Sequence, residues 1–133
     1  RNVIDEISAG YEPDRVWFEE VNKVSHRPYS TGFYYGYPGQ HYSDASYYSD
    51  AEVCAVVESC DKDGNAVLTQ RNRFCVGDTV EILTNDREPY AFTVEHMSDE
   101  NGEEISSTPH AMMMFNIKLP FECSRLSILR RIK

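Results

Sequence analysis

The sequence predicts a mainly β protein: a small six-stranded, antiparallel-rich barrel over about residues 50–132, preceded by short helices. Two observations predict this class. Apolar residues recur with a helical period before Pro28 and alternate with polar ones, as in strands, after about residue 50. Turn residues then separate the apolar runs at short intervals. Short strands linked in this way are typical of a barrel, whose closure removes exposed strand edges.

The first 24 residues are expected to form two short helices. The first ends at Gly10, and the second begins near Pro13, which suits a first helical turn because its missing N–H would have no helical partner. Pro28 marks the end at the latest, because a residue before proline avoids the helical conformation. One face of the second helix is expected to carry Trp17, Val21 and Val24.

The six strands are predicted from alternating apolar residues with turn residues between them. Asp61–Asn65 and Val76–Asp78 are two of the predicted turns. The predicted strands are Glu52–Cys60, Ala66–Arg71, Thr79–Leu83, Tyr90–His96, Met112–Leu119 and Ser127–Ile132. The apolar side of these strands is expected to supply a core of Val80, Ile82, Phe92, Val94, Phe115 and Ile117.

Composition and charge narrow the classes of function. The 133 residues carry 13 basic and 22 acidic side chains, and the formal charge of −9 argues against a dedicated nucleic-acid binder. No apolar run is long enough to span a membrane and no signal peptide is visible, so we expect a cytoplasmic protein without a membrane partner. The chain begins at Arg1 rather than methionine and is expected to be part of a longer protein.

Basic residues cluster near the C-terminus and form either a local basic strip or a solvated strand face. They are Arg125, Arg130, Arg131 and Lys133.

The cysteines and histidines form no recognisable metal or catalytic pattern. His26 with Cys54 or Cys75 could form a nucleophile pair, but no spacing singles such a pair out. The short motifs of serine hydrolases, zinc peptidases and phosphate loops are missing from the sequence. We therefore predict no catalytic residue, no metal site and no cofactor in this chain. Buried free thiols are expected at Cys54, Cys60, Cys75 and Cys123.

A tyrosine-rich window between Tyr29 and Tyr48 is the most informative feature of the sequence. It holds seven of the nine tyrosines together with Phe33, and glycines, prolines and serines interrupt it, so neither one helix nor one long strand fits. Tyrosine offers a large, stiff and half-polar contact surface, which suits a loop that binds a ligand. The alternative is that these rings seal the end of a small core.

Several motifs resemble known proteins. The turn Val76–Asp78 before the strand Thr79–Leu83 resembles a turn in the barrel of domain 2 of elongation factor Tu. From about Glu20 onward, the chain is similar to the C-terminal region of the collagenase-like bacterial peptidases, peptidase family U32. The segments that carry this second resemblance are Glu20–Gly36, Gln70–Ile82, Pro109–Met113 and Ile128–Arg131.

The family resemblance implies a domain organisation. Residues 1–27 would be a helical linker from the end of a missing catalytic domain, and residues 28–133 would be the C-terminal barrel with its tyrosine-rich loop. Full-length members are described as collagenolytic or as supporting RNA hydroxylation, and their N-terminal domain carries a cysteine cluster that binds an iron–sulfur group. The four cysteines here do not reproduce that cluster, so no metal or catalytic residue is transferred from the family.

The resemblance implies an accessory role. The expected function is that of a non-catalytic domain that binds substrate, either polypeptide such as collagen or RNA, for the missing catalytic domain. The alternative is a structural domain that packs on the catalytic domain or mediates dimerisation.

The predicted binding surface combines flat rings with guanidinium groups. Such pairs can stack on bases and hold phosphates, or grip a carboxylate-bearing peptide. The alternative is that Arg27 and Arg73 bind internal carbonyls and fix the loop to the barrel. The predicted surface consists of His26, Arg27, Tyr29, Phe33, Tyr34, Tyr35, Arg71 and Arg73.

Overall fold

The computed structural model describes residues 1–39, 47–85 and 87–133. These residues form two compact units, Arg1–Asp50 and Ala51–Lys133. The predicted division at residue 27 concerns a catalytic domain outside this chain and stays a prediction. In chain order, the elements are α1 (Asn2–Ser8), α2 (Arg15–Glu20), β1 (Ala51–Cys60), β2 (Asn65–Gln70), β3 (Thr79–Leu83), β4 (Tyr90–Thr93), β5 (Met97–Ser98), β6 (Met114–Lys118) and β7 (Ile128–Ile132).

The first unit contains the two short helices, and one carboxylate joins them. Glu6 accepts hydrogen bonds from the Asp14 backbone N–H at 3.0 Å and from Trp17 Nε1 at 2.8 Å. Neither helix contains a buried residue. Helices this short are marginal in isolation and depend on a surface to pack against. Among the described residues, no helix is long and apolar enough to cross a bilayer.

Helix α2 is shorter than predicted, because it ends before Val21 and Val24. The carbonyls that would continue it accept hydrogen bonds from more distant residues. Val21 O accepts from Tyr29 Oη at 2.7 Å, and Asn22 O accepts from the Asp50 N–H at 3.1 Å. The chain therefore turns back on itself after α2 instead of extending the helix.

The second unit confirms the mainly β class, and all of its strand pairs are antiparallel. The sheet order is β4-β3-β7-β1-β2-β6-β5, which puts β4 and β5 at opposite edges. Only residues 94–96 separate these two strands, and four residue steps span at most about 14 Å. A flat sheet of seven strands would hold its edges about 29 Å apart. The sheet is therefore curled, like part of a barrel.

The sheet has seven strands rather than the predicted six, because the predicted strand Tyr90–His96 ends at Thr93 and an unpredicted short strand, β5, follows it at Met97–Ser98. Strand β4 pairs with β3. Val94 still exchanges backbone hydrogen bonds with the Gly77–Asp78 turn, at 2.8 and 2.9 Å. The chain then changes partner, and β5 pairs with β6. A change of partner depends on residues far away in sequence, so local alternation does not reveal it.

Five of the six predicted core residues are buried: Val80, Ile82, Val94, Phe115 and Ile117. Phe92 is half-buried and packs against this core from the edge strand β4, where only one neighbouring strand covers it. The core also contains Phe74, whose ring lies 5.5 Å from that of Phe115 in an edge-to-face arrangement. Phe74 lies outside the strands and is fixed by Thr108, whose backbone N–H donates to Phe74 O at 3.1 Å.

Candidate functional site

The tyrosine-rich segment begins and ends at a backbone clasp in the first unit. His26 and Tyr48 exchange two backbone hydrogen bonds, both of 2.9 Å. The two ends of the segment are therefore held together at one place. Positions 40–46 of this segment, including Tyr42, lie outside the described residues.

Next to the clasp, three aromatic side chains form what we call the anchor cluster: His26, Tyr29 and Tyr48. The His26 and Tyr29 rings are stacked at 4.7 Å with an interplanar angle of 9°, and the Tyr48 ring lies 6.2 Å from His26. His26 Nδ1 lies 2.8 Å from Val24 O, which suits the tautomer that carries a proton on Nδ1. Because Tyr29 Oη also binds the end of α2, these rings hold the loop to its own unit.

Arg27 lies over another ring of the segment. Its guanidinium carbon is 5.3 Å from the centroid of the Tyr47 ring, and Nη2 lies 3.4 Å from Tyr47 Oη. Among the described residues, no acidic side chain forms an ion pair with Arg27. Within the described ranges Arg27 binds no carbonyl, and the alternative in which Arg27 and Arg73 bind internal carbonyls stays a prediction. Arg27 instead presents a cation on an aromatic face.

The four most exposed rings in the described part of this segment are each at least 74% exposed, and we call them the ring rim: Phe33, Tyr34, Tyr35 and Tyr37. Tyr34 and Tyr35 are 93% and 91% exposed, and across the described parts of the chain neither side chain has a hydrogen-bond or ring partner. Phe33 and Tyr37 are 76% and 74% exposed, with ring centroids 6.2 Å apart. These rings are exposed and do not belong to the buried core cluster.

A tight turn presents the ring rim. Tyr34 N–H donates to Thr31 O, and Gly36 N–H donates to Phe33 O, both at 3.4 Å. Gly36 has a φ of +117°, a conformation that residues with a side chain rarely adopt. The glycine therefore lets the chain reverse directly after three consecutive rings.

Two of the eight predicted binding residues lie in the second unit. The Arg71 guanidinium contacts Met112 Sδ, and its backbone N–H donates to Cys54 O at 2.7 Å. Arg73 is exposed and, within the described ranges, its side chain has no polar partner. The other six predicted residues lie in the first unit. That all eight form one surface stays a prediction.

The Val76–Asp78 motif has a structural role in the second unit. The Asp78 carboxylate accepts hydrogen bonds from the Cys75 backbone N–H at 2.9 Å and from Arg131 Nη1 at 3.0 Å. Arg131 also binds Glu52 at 3.1 Å, and this hydrogen bond raises the pKa of Arg131. One carboxylate thus closes the turn and holds strand β7.

The C-terminal arginines are paired with acids and do not form a free basic strip. Arg130, 3% exposed, binds Glu81 through Nε and Nη2 at 2.8 and 2.7 Å. Strand register places these two residues directly opposite each other. Arg125 lies 3.6 Å from Glu58. Sequence reasoning missed these pairs because their members are 49 to 79 positions apart in the chain.

The cysteines and the possible metal ligands of the described ranges were candidates for chemistry. Burial raises the pKa of the Cys54 thiol to about 11, so this cysteine is a neutral thiol near neutral pH and a poor nucleophile. Cys54 and Cys123 are buried and free, as predicted, whereas Cys60 and Cys75 are only half-buried. Within residues 1–39, 47–85 and 87–133, no three His, Cys, Asp or Glu side chains are grouped to hold a metal ion.

Comparison with known families identifies the second unit. Residues 49–130 match the model of the peptidase family U32 C-terminal domain. Two crystal structures of the C-terminal domain of a U32 protein from Geobacillus thermoleovorans superpose on this fold, each with a TM-score of 0.57. One is 27% identical and covers 60% of this chain and 99% of its own; the other is 26% identical and covers 62% and 92%.

Two curated relatives extend the similarity beyond this domain. The tRNA hydroxylation protein P1 of Bacillus subtilis is 30% identical over 140 residues and matches 100% of this chain. The tRNA hydroxylation protein P of Escherichia coli is 29% identical over 113 residues, which cover 82% of this chain. The chain spans only 33% and 25% of the lengths of these two relatives.

Proposed function

This chain belongs to peptidase family U32 and contains its C-terminal domain, and from that premise we propose that it is an RNA-binding accessory region of a longer protein. In this proposal the ring rim and Arg27 contact the RNA. The chain carries no catalytic group of its own and presents substrate, in the cytoplasm, to chemistry performed elsewhere in the longer protein. The curled sheet serves as the stable support.

The exposed ring rim is the observation that carries the proposal. Tyr34 and Tyr35 are more than nine-tenths exposed, although a tyrosine contributes about 150–250 Å² when it is buried in a contact. Sequence-specific and non-specific RNA binders both stack unpaired bases on such rings and on guanidinium planes. The relative that matches this chain from end to end, first unit included, is named for tRNA hydroxylation, which supports RNA over polypeptide as the ligand.

A second candidate is an assembly role, and the helices of the first unit favour it. Ile4, Ile7 and Phe18 are 63%, 57% and 58% exposed, and no residue of either helix is buried. Exposed apolar side chains on marginal helices are suited to packing on another protein surface. The helices could thus dock on the rest of a longer protein while the ring rim stays open to RNA.

The proposal is tested by measuring the affinity of the 133-residue chain for a tRNA transcript and, in parallel, for gelatin. Tyr34→Ala combined with Tyr35→Ala should weaken RNA binding at least ten-fold and leave the melting temperature unchanged. Tyr11→Ala is the matched control, because Tyr11 is 71% exposed in the same unit but lies outside the ring rim. Binding of gelatin alone, or RNA binding that survives loss of both rings, would contradict the proposal.

A further inference from the structure

We infer that the ring rim takes unpaired RNA by base stacking, with Arg27 as its single phosphate contact. This inference rests on the proposed RNA-binding function and specifies the kind of RNA and the type of force. It follows from two properties of the first unit, which are the exposure of its rings and the pairing of its charged side chains.

Two sets of aromatic side chains in the first unit, the anchor cluster and the ring rim, differ in what they already contact. In the anchor cluster, His26 and Tyr29 already cover one face of each other, and the Tyr29 hydroxyl is bound to Val21 O. In the ring rim, Tyr34 and Tyr35 contact no other ring among the described residues and leave their faces open. Tyr34 and Tyr35 can therefore stack on incoming bases without breaking a contact among the described residues.

The charges of the first unit leave one cation for phosphate. Residues 1–50 contain four basic side chains, and three of them are paired with acids along the helices or just after them. These pairs are Arg1–Asp5 at 3.0 Å, Arg15–Glu19 at 3.2 Å and Lys23–Glu20 at 3.3 Å. Within the described part of this unit, Arg27 is the basic residue that has no ion pair.

The ligand must therefore offer base faces rather than a dense row of phosphates. A duplex hides its base faces and is held mainly through several phosphate contacts. The first unit is poorly suited to supply those contacts, because its eight acidic residues outnumber its four basic ones and only Arg27 among the latter lies outside an ion pair in the described residues. Unpaired RNA exposes its bases and needs few phosphate contacts when rings stack on them.

One phosphate contact also sets the salt dependence. For single strands, the logarithm of the binding constant falls with the logarithm of salt concentration by about 0.7 per phosphate neutralised. Raising salt from 50 to 200 mM should then weaken binding by only about three-fold. A binder with six such contacts would lose more than about 100-fold over the same range.

The experiment measures the affinity of the full 133-residue chain for an unpaired 12-nucleotide RNA and for the same strand in a duplex, from 50 to 200 mM salt. The unpaired strand should bind at least ten-fold more tightly, with the shallow salt dependence given above. Tyr34→Ala should weaken binding about five-fold or more, whereas Tyr34→Trp should retain it, since any flat ring can stack. Arg27→Ala should abolish the remaining salt dependence, and Arg27→Lys should keep it.

The controls separate this inference from the proposed function. Lys62→Ala removes an exposed cation from a turn of the second unit and should change neither affinity nor salt dependence. Equal binding of the duplex, or a steep salt dependence that Arg27→Ala does not reduce, overturns the stacking inference while RNA binding itself stands. Failure to bind either RNA overturns the proposed function together with the inference.

Discussion

The two compact units differ in the exposure of their aromatic side chains. In the second unit, Phe74 and Phe115 are fully buried and pack edge to face. In the first unit, Tyr34 and Tyr35 are almost fully exposed. The charged side chains divide in the same way, since Arg130 is buried in an ion pair and Arg27 faces a tyrosine ring at the surface. The buried core thus lies in the second unit, whereas the recognition that we propose lies in the first.

The largest expected difference between the two units is in the free energy of unfolding when one phenylalanine is removed from each. Phe115→Ala should lower the free energy of unfolding by about 3–5 kcal/mol, the usual cost of removing a buried phenylalanine. Phe33→Ala is the matched control and should change it by less than about 0.5 kcal/mol, because that ring is exposed. Chemical denaturation of both variants measures the difference. Similar losses in the two variants would show that the ring rim is part of the folded core.

Two glycines of the second unit test how closely its turns pack. Gly64 has a φ of +85°, and a Cβ there would overlap the carbonyl oxygen of Leu119. Gly64→Ala should therefore cost about 3 kcal/mol, from conformational strain and overlap together. Gly102 has a φ of +83° with open space around it in the described structure, so Gly102→Ala should cost only about 1 kcal/mol. Equal losses in thermal unfolding would contradict the close contact at Gly64.

Removing the ion pair between Arg130 and Glu81 is expected to lower the free energy of unfolding by a smaller amount. Arg130→Ala should destabilise the protein by about 2 kcal/mol, since it leaves Glu81 without this partner. The expected loss is below that for a fully buried pair because the Glu81 side chain is 19% exposed. Arg125→Ala is the control, since Arg125 is 72% exposed and its pair with Glu58 should be worth less than about 1 kcal/mol. Urea denaturation that ranks Arg125 above Arg130 would contradict this assignment.

A further small effect appears in acid at the turn between β1 and β2. The Asp61 carboxylate accepts hydrogen bonds from the Asn65 side chain and backbone and from the Asp63 N–H, and these lower its pKa below the ordinary 3.8. A lowered pKa in the folded state stabilises the protein above the ordinary value, and this contribution is lost as the pH falls through the folded value. Asp61→Asn should therefore flatten the decline of stability below about pH 4. Urea denaturation at a series of pH values measures this decline, and an equally steep decline in Asp61→Asn would contradict the assignment.

The sequence was sufficient for local features of the fold. Val80 and Ile82 alternate with polar neighbours in one short strand, so their burial was predictable from strand geometry. The break after β4 was not, because the chain leaves β3 there and pairs with β6, which is distant in sequence. The burial of Phe74 was not predicted for a similar reason, because its position depends on a hydrogen bond to Thr108, which is distant in sequence.

The candidate site was predictable in composition but not in arrangement. The tyrosine-rich window indicates that its rings form contacts. The sequence does not show whether those contacts are with the rest of the chain or with a ligand. The exposure of a ring depends on which other residues pack on it, and those contacts are set by the folded chain rather than by local sequence. The contact between Arg27 and the Tyr47 ring was likewise not predictable, because the two residues are 20 positions apart.

The location of bound RNA on the chain tests the central claim most directly. The protein is cross-linked to unpaired RNA by ultraviolet light, digested, and the peptides that carry nucleotide are identified by mass spectrometry. We expect cross-links within residues 27–50, with Tyr34 and Tyr35 the main sites and Tyr34→Ala with Tyr35→Ala removing most of the yield. Cross-links confined to Ala51–Lys133 would contradict the account, because recognition would then lie on the unit assigned here to stability.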